Sequence, residues 1–402
     1  MPRLRNAIIT SMNISEATDQ SAWDAFLRTQ PWKPFLQSWT MGEVYREIGQ
    51  EPVRLIAEEN GAVTGICFGH TIPAKRGKHL SIPYGPIISG KLQAESFKHT
   101  FDSLLNELKR LARERSCSFI RMSPFWPSSL PPSQPQPQPS SAISSPLHLL
   151  AEHVWYLPLV TPDPWQLTAN RLPARTERVR SGGSLIARTE AELLSAMRKT
   201  TRNLIRRAER DGVTVEASND PNRDLGVFLT LHNETRLRHG FTPYADALFA
   251  AQIRHFCARS EASLYLARFQ GEVIAASIHM HFAGETSYHH GASASKFSKV
   301  PASYLLQWTA IQDALRRGDH IYNFWGIAPM SGQWSVVSGQ QQPCPKSQVL
   351  SPKSHPFSGV SLFKTGFGGE LLNLQHCFDV PLSSKYWLTH VFEAMRRWRR
   401  GF

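Results

Sequence analysis

A basic segment in the middle of the chain is the first feature that could do chemistry. It runs from Thr189 to Gly212 and reads TEAELLSAMRKTTRNLIRRAERDG, in which Thr189 and Glu192 have the spacing of a capping box at a helix start. Apolar residues fall on one arc of the predicted helix, and the other side carries Arg198, Lys199, Arg202, Arg206, Arg207 and Arg210. This face could bind phosphates with salt-dependent affinity, or it could be a solvated surface helix, and the charges alone fit both readings.

Two shorter segments add candidate residues. Arg236 and Arg238 precede Gly240-Phe241, where an arginine could hold a phosphate through its planar set of donors, although helix-end charge is the alternative. Lys364 lies among aromatic residues and glycines in FKTGFGGE, and glycines allow close approach of the backbone to a ligand. A lysine in this setting could stabilise a developing oxyanion, or it could be an exposed strand residue.

The histidines and cysteines give no pattern of metal ligands. His279 and His281 would share a strand face, with His289-His290 one strand away, but no HExxH or Cys/His spacing accompanies them. The five cysteines are scattered and form no CxxC pair, which argues against a disulfide framework. We therefore predict no metal site, and we expect these histidines to line a cleft as polar groups.

The C-terminal segment predicts an amphipathic helix. Its apolar stripe consists of Trp387, Leu388, Val391, Phe392, Met395 and Trp398, and it is followed by the arginines 396, 397, 399 and 400. We expect this stripe to pack on a domain, and contact with an anionic membrane surface is the alternative.

The elements that must position these residues occur twice, at an offset of roughly 200 residues. In the first half, the predicted order is strand Val53 to Ala57, turn, strand Ala62 to His70, strand His79 to Tyr84, a helix containing Phe97 to Leu108, and strand Ser118 to Met122. In the second half, it is strand Leu264 to Phe269, turn, strand Val273 to Phe282, strand Thr286 to Gly291, helix Ala302 to Arg317, and strand His320 to Trp325. Such a repeat predicts a groove between two halves.

Length and charge set the limits of the interpretation. A chain of 402 residues predicts two domains, and its 41% hydrophobic content excludes a wholly disordered chain. The net charge of +13 favours a polyanionic partner over a small neutral metabolite. No signal peptide or membrane-spanning stretch is evident, so we expect a cytoplasmic protein. Polar, proline-rich stretches near 127–147 and 331–354 predict disordered insertions, and 170–184 is expected to be irregular.

Six blocks stand out along the chain: Phe35-Leu36-Gln37-Ser38-Trp39, Ile82-Pro83-Tyr84-Gly85-Pro86, the helix from Met197 to Gly212, Arg238-His239-Gly240-Phe241, Tyr322-Asn323-Phe324-Trp325-Gly326-Ile327, and the block Phe363 to Glu370. In this order they resemble the Fem-type aminoacyltransferases, which build peptidoglycan bridges from aminoacyl-tRNA. The resemblance implies an α+β fold of two tandem acetyltransferase-like (GNAT-type) domains with mixed sheets flanked by helices. It places the first domain at 1–158 plus 381–402 and the second at 159–380.

The resemblance also implies roles for individual residues. Lys364 and Phe363 match a catalytic Phe-Lys pair, Arg238 matches an arginine that grips the precursor diphosphate, and Tyr244 and Tyr288 match substrate-binding tyrosines. Tyr84 belongs to a family signature, and Arg46 stands near the position of a phosphate-binding lysine. Arg198, Lys199, Arg202 and Arg206 would contact tRNA. Ser123 stands where members commonly have an acidic residue, so a carboxylate base is in doubt.

The function implied is transfer of an amino acid from aminoacyl-tRNA to the stem peptide of a peptidoglycan precursor, either lipid II or UDP-MurNAc-pentapeptide. The expected protein is a monomeric enzyme with no cofactor and no DNA partner, in the cytoplasm and in peripheral contact with the inner face of the membrane. An acetyl-coenzyme A dependent N-acyltransferase of the same fold is the enzymatic alternative, although neither repeat carries a Gln/Arg-x-x-Gly-x-Gly/Ala loop. A non-catalytic RNA-binding protein is the third possibility.

Overall fold

The structure is a computed structural model that describes residues 12–74, 77–90, 92–128, 139–163, 185–241, 244–329 and 357–400. The strands are β1 Met12–Glu16, β2 Pro52–Glu59, β3 Ala62–Ile72, β4 His79–Pro83, β5 Ile87–Ile88, β6 Phe119–Ser123, β7 Ile143–Ser144, β8 His153–Pro158, β9 Val160–Thr161, β10 Ile186–Ala187, β11 Thr214–Ala217, β12 Ala262–Phe269, β13 Glu272–Phe282, β14 Glu285–Ser293, β15 Ile321–Gly326, β16 Glu370–Asn373 and β17 Phe378–Pro381. The helices are α1 Gln20–Thr29, α2 Trp39–Glu47, α3 Ala94–Glu114, α4 Glu190–Ala196, α5 Lys199–Arg210, α6 Pro221–His239, α7 Asp246–Cys257, α8 Ala302–Arg317, α9 Ser358–Thr365 and α10 Tyr386–Arg400.

These strands form two large mixed sheets with the same internal order. The first sheet runs β1-β2-β3-β4-β6-β17-β7, with β5 beside β3, and the second runs β11-β12-β13-β14-β15-β8-β16. In each sheet, one parallel pair follows the antiparallel strands, β4 with β6 and β14 with β15. The predicted duplication and fold class are therefore confirmed, and we call the two units the first and second lobes.

Tight turns set the register of the corresponding hairpins. Asn60 and Gly61 have φ of 53° and 76°, and Gln270 and Gly271 have φ of 52° and 82°. Positive φ at both central residues is the signature of a type I′ turn, whose twist matches that of the flanking strands. Both hairpin turns expected from the sequence are present.

Each sheet is completed by a strand that crosses over from elsewhere in the chain. β8 follows the first lobe in sequence, yet it pairs with β15 and β16 of the second sheet. β17 follows the second lobe and pairs with β6 and β7 of the first sheet. By sheet membership, the division therefore falls before His153 and again before Phe378, not at the predicted boundaries of 158/159 and 380/381.

The lobes share a core. One buried cluster contains Phe35 and Phe68 of the first lobe together with Phe256 and Ile278 of the second, and each lobe has a further cluster of its own. Ion pairs from Arg28 to Glu261 and from Glu47 to Arg254 cross the same boundary. The packing therefore fixes the two lobes relative to each other.

The described part of the first predicted insertion is folded, contrary to the expectation of disorder. Residues 139–147 are described, and Ile143 pairs with Asp379 at the edge of the first sheet, because the apolar Ile143 supplies a strand within the polar stretch. Residues 129–138, the irregular stretch predicted at 170–184 and the whole second insertion, 331–354, lie outside the described residues. Within the described part of the chain, no helix has the length and apolar character needed to span a membrane.

The prediction that the C-terminal stripe packs on a domain is wrong. Helix α10 does pack on the first lobe, but through Tyr386, whose ring lies 5.2 Å from that of Phe119, and through an ion pair between Glu393 and Arg121. Trp387 and Leu388 face away, with 52% and 70% of their surface exposed. Polar contacts of the opposite helix face determine the orientation.

Candidate active site

The second sheet is open at its parallel pair. β14 and β15 are paired only from Glu285 opposite Ile321 to Ser287 opposite Asn323. Immediately beyond, the register of β14 against β13 shifts at His289, and Trp325 of β15 adopts a φ of 67°. Bulges bend strands and end their pairing, so the two strands separate here and leave an opening in the sheet.

Lys364 lies in this opening. It is in the last turn of α9, only 7% of its surface is exposed, and its Nζ donates a 2.7 Å hydrogen bond to the carbonyl oxygen of Gly326. The ring of Tyr288 lies 5.7 Å from the same nitrogen, within reach of a cation–π contact. Burial lowers the pKa of Lys364 to about 7, and no carboxylate of the described residues pairs with it. The geometry thus holds an amine that titrates near neutral pH.

Contacts on both sides of α9 hold the lysine in position. The backbone NH of Arg198 donates to the carbonyl of Gly366, and its guanidinium donates to the Thr365 hydroxyl at 2.9 Å. The indole NH of Trp155 donates to the carbonyl of Gly368 at 2.7 Å. A Cβ at Gly369 would lie 2.3 Å from a carbonyl oxygen of β8, so only glycine fits there. The glycines of the FKTGFGGE block therefore serve close backbone packing.

Phe363 and Tyr288 support the lysine in different ways. The ring of Phe363 packs 4.9 Å from Tyr304 and 5.4 Å from Phe367, inside the core of the second lobe, so it positions α9. Tyr288 is half-buried, and burial raises the pKa of its phenol to about 12, which keeps it a neutral hydrogen-bond donor. A Cβ at Gly291 would lie 1.8 Å from the Tyr288 hydroxyl oxygen, so this glycine makes room for the ring.

Arg238 and Tyr244 lie on the other face of the second sheet, which α6 and α7 cover. Arg238 is exposed in the last turn of α6, and its guanidinium donates to the hydroxyls of Ser295 at 2.6 Å and Ser293 at 3.1 Å. Gly240 ends that helix with a φ of 69°. Tyr244 is 52% exposed, and its ring lies 5.7 Å from that of His290 on β14. Strand β14 thus links both groups of predicted residues.

A cavity of about 330 Å³ lies beside the same helix. It is lined by Leu229, His232, Asn233, Arg236 and Asp246. Arg236, the second arginine singled out in the sequence, faces this cavity and also donates to the Asn233 side chain at 2.8 Å. The exposed polar groups on this face therefore extend beyond Arg238.

Tyr84 and Arg46 are engaged within the fold. Tyr84 is buried, its hydroxyl donates to the carbonyl of Ala151 at 2.8 Å, and its ring lies 5.6 Å from Trp325, so it forms a wall below the opening. Arg46 forms ion pairs with Glu43 and Glu51 on the surface of the first lobe. The structure does not bring Arg46 to Lys364.

The basic segment forms two helices where the sequence predicted one. Its predicted capping box is present on α4, but Met197 adopts an extended conformation with ψ of 154°. The cause is Arg202, whose guanidinium donates to the carbonyls of Leu194, Ser195 and Met197 and so caps α4. Arg202 is therefore structural, whereas Arg198, Lys199 and Arg206 are exposed, and Arg198 contacts α9 through Thr365.

The four histidines form hydrogen bonds and ring contacts. His279 bonds to the Tyr322 hydroxyl at 2.8 Å, and His281 bonds to Thr286 and Ser263. Burial lowers the pKa values of His281 and His289 to about 3, so both rings are neutral at physiological pH. His290 contacts Phe249 and Tyr244.

Sequence reasoning missed two polar groups. Within the described residues, His148, Glu152 and His376 bring three side chains together that could hold a metal ion, but they are separated by up to 228 positions and share no local motif. Glu285 begins β14, and its carboxylate accepts a 2.8 Å hydrogen bond from Asn323. Burial raises the pKa of this carboxylate, and no local motif in the sequence marks it. The predicted absence of a metal stays a prediction.

Comparisons with known proteins agree with this architecture. Residues 195–331 match the model of the acetyltransferase (GNAT) domain family. The structure is similar to that of FemX, with a TM-score of 0.68 and 16% identity over 95% of this chain and 100% of that chain. It also resembles the C-terminal DUF2156 domain of a proposed lysylphosphatidylglycerol synthetase from Agrobacterium fabrum, with a TM-score of 0.51 and 13% identity over 94% and 96% of the two chains.

A tandem GNAT protein from the clavulanic acid biosynthesis pathway is similar as well, with a TM-score of 0.51 and 10% identity over 93% and 99% of the two chains. No curated protein matches the sequence. The resemblance to Fem-type proteins is thus confirmed for the fold, along the whole chain. The chain therefore has the fold of a tandem acetyltransferase-type protein, which it shares with FemX over its whole length.

Proposed function

We propose that this protein transfers an amino acid from aminoacyl-tRNA to a free amine on the stem peptide of a peptidoglycan precursor. The fold, which it shares with acyltransferases and with FemX, supports a transferase. The family blocks in the sequence support the finer assignment, because Phe363-Lys364 and Arg238 occupy the positions that the resemblance assigns to catalysis and diphosphate binding.

The observation that carries the proposal is a buried lysine, held in an opening of the second sheet, with which no carboxylate of the described residues pairs. A structural lysine in a core is normally paired, since an isolated buried charge is costly. Here the amine has one carbonyl partner and a tyrosine ring, so it retains donors for a further oxygen atom. Such a group suits an oxyanion that forms only during the reaction.

The opening offers each substrate its own side. On one side, Arg198, which contacts α9, and Lys199 and Arg206 of α5 are exposed and suit the phosphates of a tRNA acceptor end. On the α6 side, Arg238 and Tyr244 suit a diphosphate and its attached sugar or peptide. The six residues of β14 from Tyr288 to Ser293 span about 17 Å, a length that an extended stem peptide of about five residues can bridge.

The reaction forms an amide and breaks an ester. The neutral amine attacks the carbonyl carbon, the tetrahedral oxyanion accepts hydrogen bonds from Lys364, and the tRNA 3′ hydroxyl leaves with the proton that the nitrogen loses. The ester is already activated, so alignment of the two reactants supplies much of the acceleration. Stabilisation of the oxyanion by a preorganised donor adds several kcal/mol, about 3 kcal/mol in comparable sites.

The test is direct transfer. The full-length protein is incubated with a mixture of aminoacyl-tRNAs and either lipid II or UDP-MurNAc-pentapeptide, and the mass of the precursor is measured. We expect an increase equal to one aminoacyl residue with at least one of the two acceptors. A precursor whose mass stays unchanged with both acceptors contradicts the proposal.

An acetyl-coenzyme A dependent acyltransferase is the second candidate, and the match to the GNAT domain model favours it. Thermal-shift titration with coenzyme A separates the two candidates, because the aminoacyl-tRNA reaction needs no coenzyme A site. A saturable rise in melting temperature would favour the second candidate.

For the aminoacyl-tRNA reaction, we propose that the protein acts as a monomer in the cytoplasm, close to the inner face of the membrane.

A further inference from the structure

Helix α10 has one face that belongs to the first lobe. Tyr386 is fully buried and its hydroxyl donates to Asp379, Thr389 is buried, and Glu393 is paired with Arg121 of β6. These residues are three or four positions apart, so they lie on one side of the helix. The helix is therefore anchored in a fixed orientation.

The opposite face of α10 is apolar and uncovered by any described residue. Its members are Trp387, Leu388, Val391, Met395 and Trp398, with exposed fractions of 52%, 70%, 54%, 50% and 83%. At 100° per residue, these five side chains fall within an arc of about 100°, which makes one continuous stripe. Exposed apolar residues scattered singly are normal, but a contiguous stripe with two tryptophans marks a contact surface.

Positive charge surrounds the stripe. Arg396, Arg397 and Arg399 flank its last member, Trp398, near the end of the helix, and no carboxylate of the described residues forms an ion pair with them. Arg399 lies beside Leu388 on the helical wheel, so a cation borders the apolar arc directly. Tryptophan at the edge of an apolar face, next to arginine, is the composition of a helix that lies in a membrane interface.

The charges decide between a membrane and a second copy of the chain. Two copies that met through this face would bring their arginines together, in a protein whose net charge is already +13. An anionic lipid surface would instead neutralise the arginines while the tryptophans enter the headgroup region. We infer that α10 docks the protein on anionic phospholipid bilayers, with Trp387, Leu388, Val391, Met395 and Trp398 inserted and the C-terminal arginines on the lipid phosphates.

Docking goes beyond the proposed function because it requires neither transfer substrate. The test is sedimentation of the full-length protein with phosphatidylglycerol-containing vesicles and with pure phosphatidylcholine vesicles. We expect binding to the anionic vesicles that weakens as salt is raised, because surface charges are screened. Equal binding to both vesicle types, or binding to neither, overturns the inference.

Variants assign the binding to the helix. Leu388→Gln combined with Trp398→Gln should weaken vesicle binding at least about tenfold, since two inserted apolar side chains are lost. Arg399→Gln should weaken it about fivefold, the usual contribution of one basic residue at an anionic surface. Ile186→Gln is the matched control, because Ile186 is 69% exposed on β10 and should leave binding unchanged. Wild-type affinity in the double variant overturns the inference.

Light scattering of the same proteins tests whether a second copy of the chain covers the apolar stripe of α10. A wild-type dimer that the double variant converts to a monomer would show that a second copy covers the stripe, and it would overturn membrane docking. The transfer assay with soluble UDP-MurNAc-pentapeptide stays separate, because loss of vesicle binding leaves that reaction possible. Failure of docking and failure of the proposed transfer are therefore distinguishable.

Discussion

The two lobes share one strand order and differ at the same place. In the first sheet, the parallel pair is closed along five residues, from His79 opposite Phe119 to Pro83 opposite Ser123. In the second sheet, the equivalent pair ends after three residues, and bulges at His289 and Trp325 separate the strands. A duplicated unit thus provides one closed scaffold and one opening that holds Lys364.

The two sheets also differ in the charge of the residues next to the parallel pair. Arg121 of β6 is paired with Asp379 of β17 and with Glu393 of α10, so an ion network covers the closed strands. The corresponding register positions of the second sheet hold Asn323 and Tyr156, which are uncharged. The first lobe is therefore stabilised by a buried ion pair, whereas in the described part of the second lobe the buried Lys364 has no carboxylate partner.

Removing the buried cation of the first lobe, Arg121, should have the largest effect on the unfolding free energy. Arg121→Met leaves Asp379 fully buried without its cation, which should cost about 3–5 kcal/mol of unfolding free energy. Urea unfolding followed by circular dichroism measures this change. Arg110→Met is the control, because Arg110 forms ion pairs only on the surface of α3, and the variant should unfold like the wild type. Equal stability of both variants would contradict the scaffold role.

The second-largest effect is expected in the pH dependence of transfer, because Lys364 titrates. The amine is charged below its pKa of about 7 and neutral above it, so an electrostatic role is lost as the pH rises. The wild-type kcat/KM is divided by that of Lys364→Met at each pH. The titration of the acceptor amine affects both proteins equally and so cancels in this ratio. This ratio should be constant below pH 7 and fall about tenfold per pH unit well above it. A ratio that increases with pH would instead indicate a neutral lysine that accepts a proton.

Displacing Tyr288 tests whether the position of its ring beside Lys364 matters for transfer. In Gly291→Ala, the new Cβ would lie 1.8 Å from the tyrosine hydroxyl, so the ring must move away from Lys364. Transfer should fall about tenfold, since misplacement of a supporting group by about 1 Å has effects of this order or larger. Gly226→Ala in α6 is the control because no atom lies within 4 Å of its added Cβ. Unchanged transfer in Gly291→Ala would exclude a role for Tyr288.

The smallest effect is expected at the junction where the chain crosses between lobes. Hydrogen bonding to Glu152 raises the pKa of His376. Burial alone would raise the pKa of Glu152, but its bonds to His148, His376 and the Cys377 amide outweigh burial and lower it to about 2. The His376 contribution is present below its unfolded pKa and disappears as the pH rises through the folded value, whereas that of Glu152 disappears as the pH falls towards 2.

His376→Gln should therefore lower the unfolding free energy by less than about 1 kcal/mol, because the ring is partly exposed and screened by solvent. The loss should be seen at pH 5.5 to 6, between the unfolded pKa values of about 4.5 and 6.5, and should vanish at alkaline pH. Urea titrations at several pH values measure it. A deficit that grows with pH would contradict this sign.

Local signals in the sequence predicted much of the fold. Asn60-Gly61 and Gln270-Gly271 specify their turns by themselves, and the apolar spacing from Phe97 to Leu108 lies inside α3. The exchange of β8 and β17 between sheets was not predictable in this way, because strand pairing depends on residues far apart in the chain. The break at Met197 also escaped prediction, since it depends on the side chain of Arg202 reaching back to the end of α4.

Sequence motifs singled out the candidate site residues, but they did not predict the burial and contacts of these side chains. The block around Lys364 singled out the residue, while its burial and its bond to Gly326 depend on a contact across 38 positions. Arg46 as a phosphate-binding residue stays a prediction, and the structure adds that Glu43 and Glu51 pair with its guanidinium. A linear sequence gives candidate side chains, and the packing of two sheets decides which of them face a substrate.

The most direct test of the central claim is the transfer rate of Lys364→Met, measured together with its affinity for the precursor. Removing the amine from the opening should lower single-turnover transfer by at least about 100-fold, the usual cost of losing an oxyanion donor. Precursor affinity should stay close to that of the wild type, because Arg238 and Tyr244 are untouched. Full transfer activity in Lys364→Met would contradict the claim that the opening of the second lobe is the catalytic site.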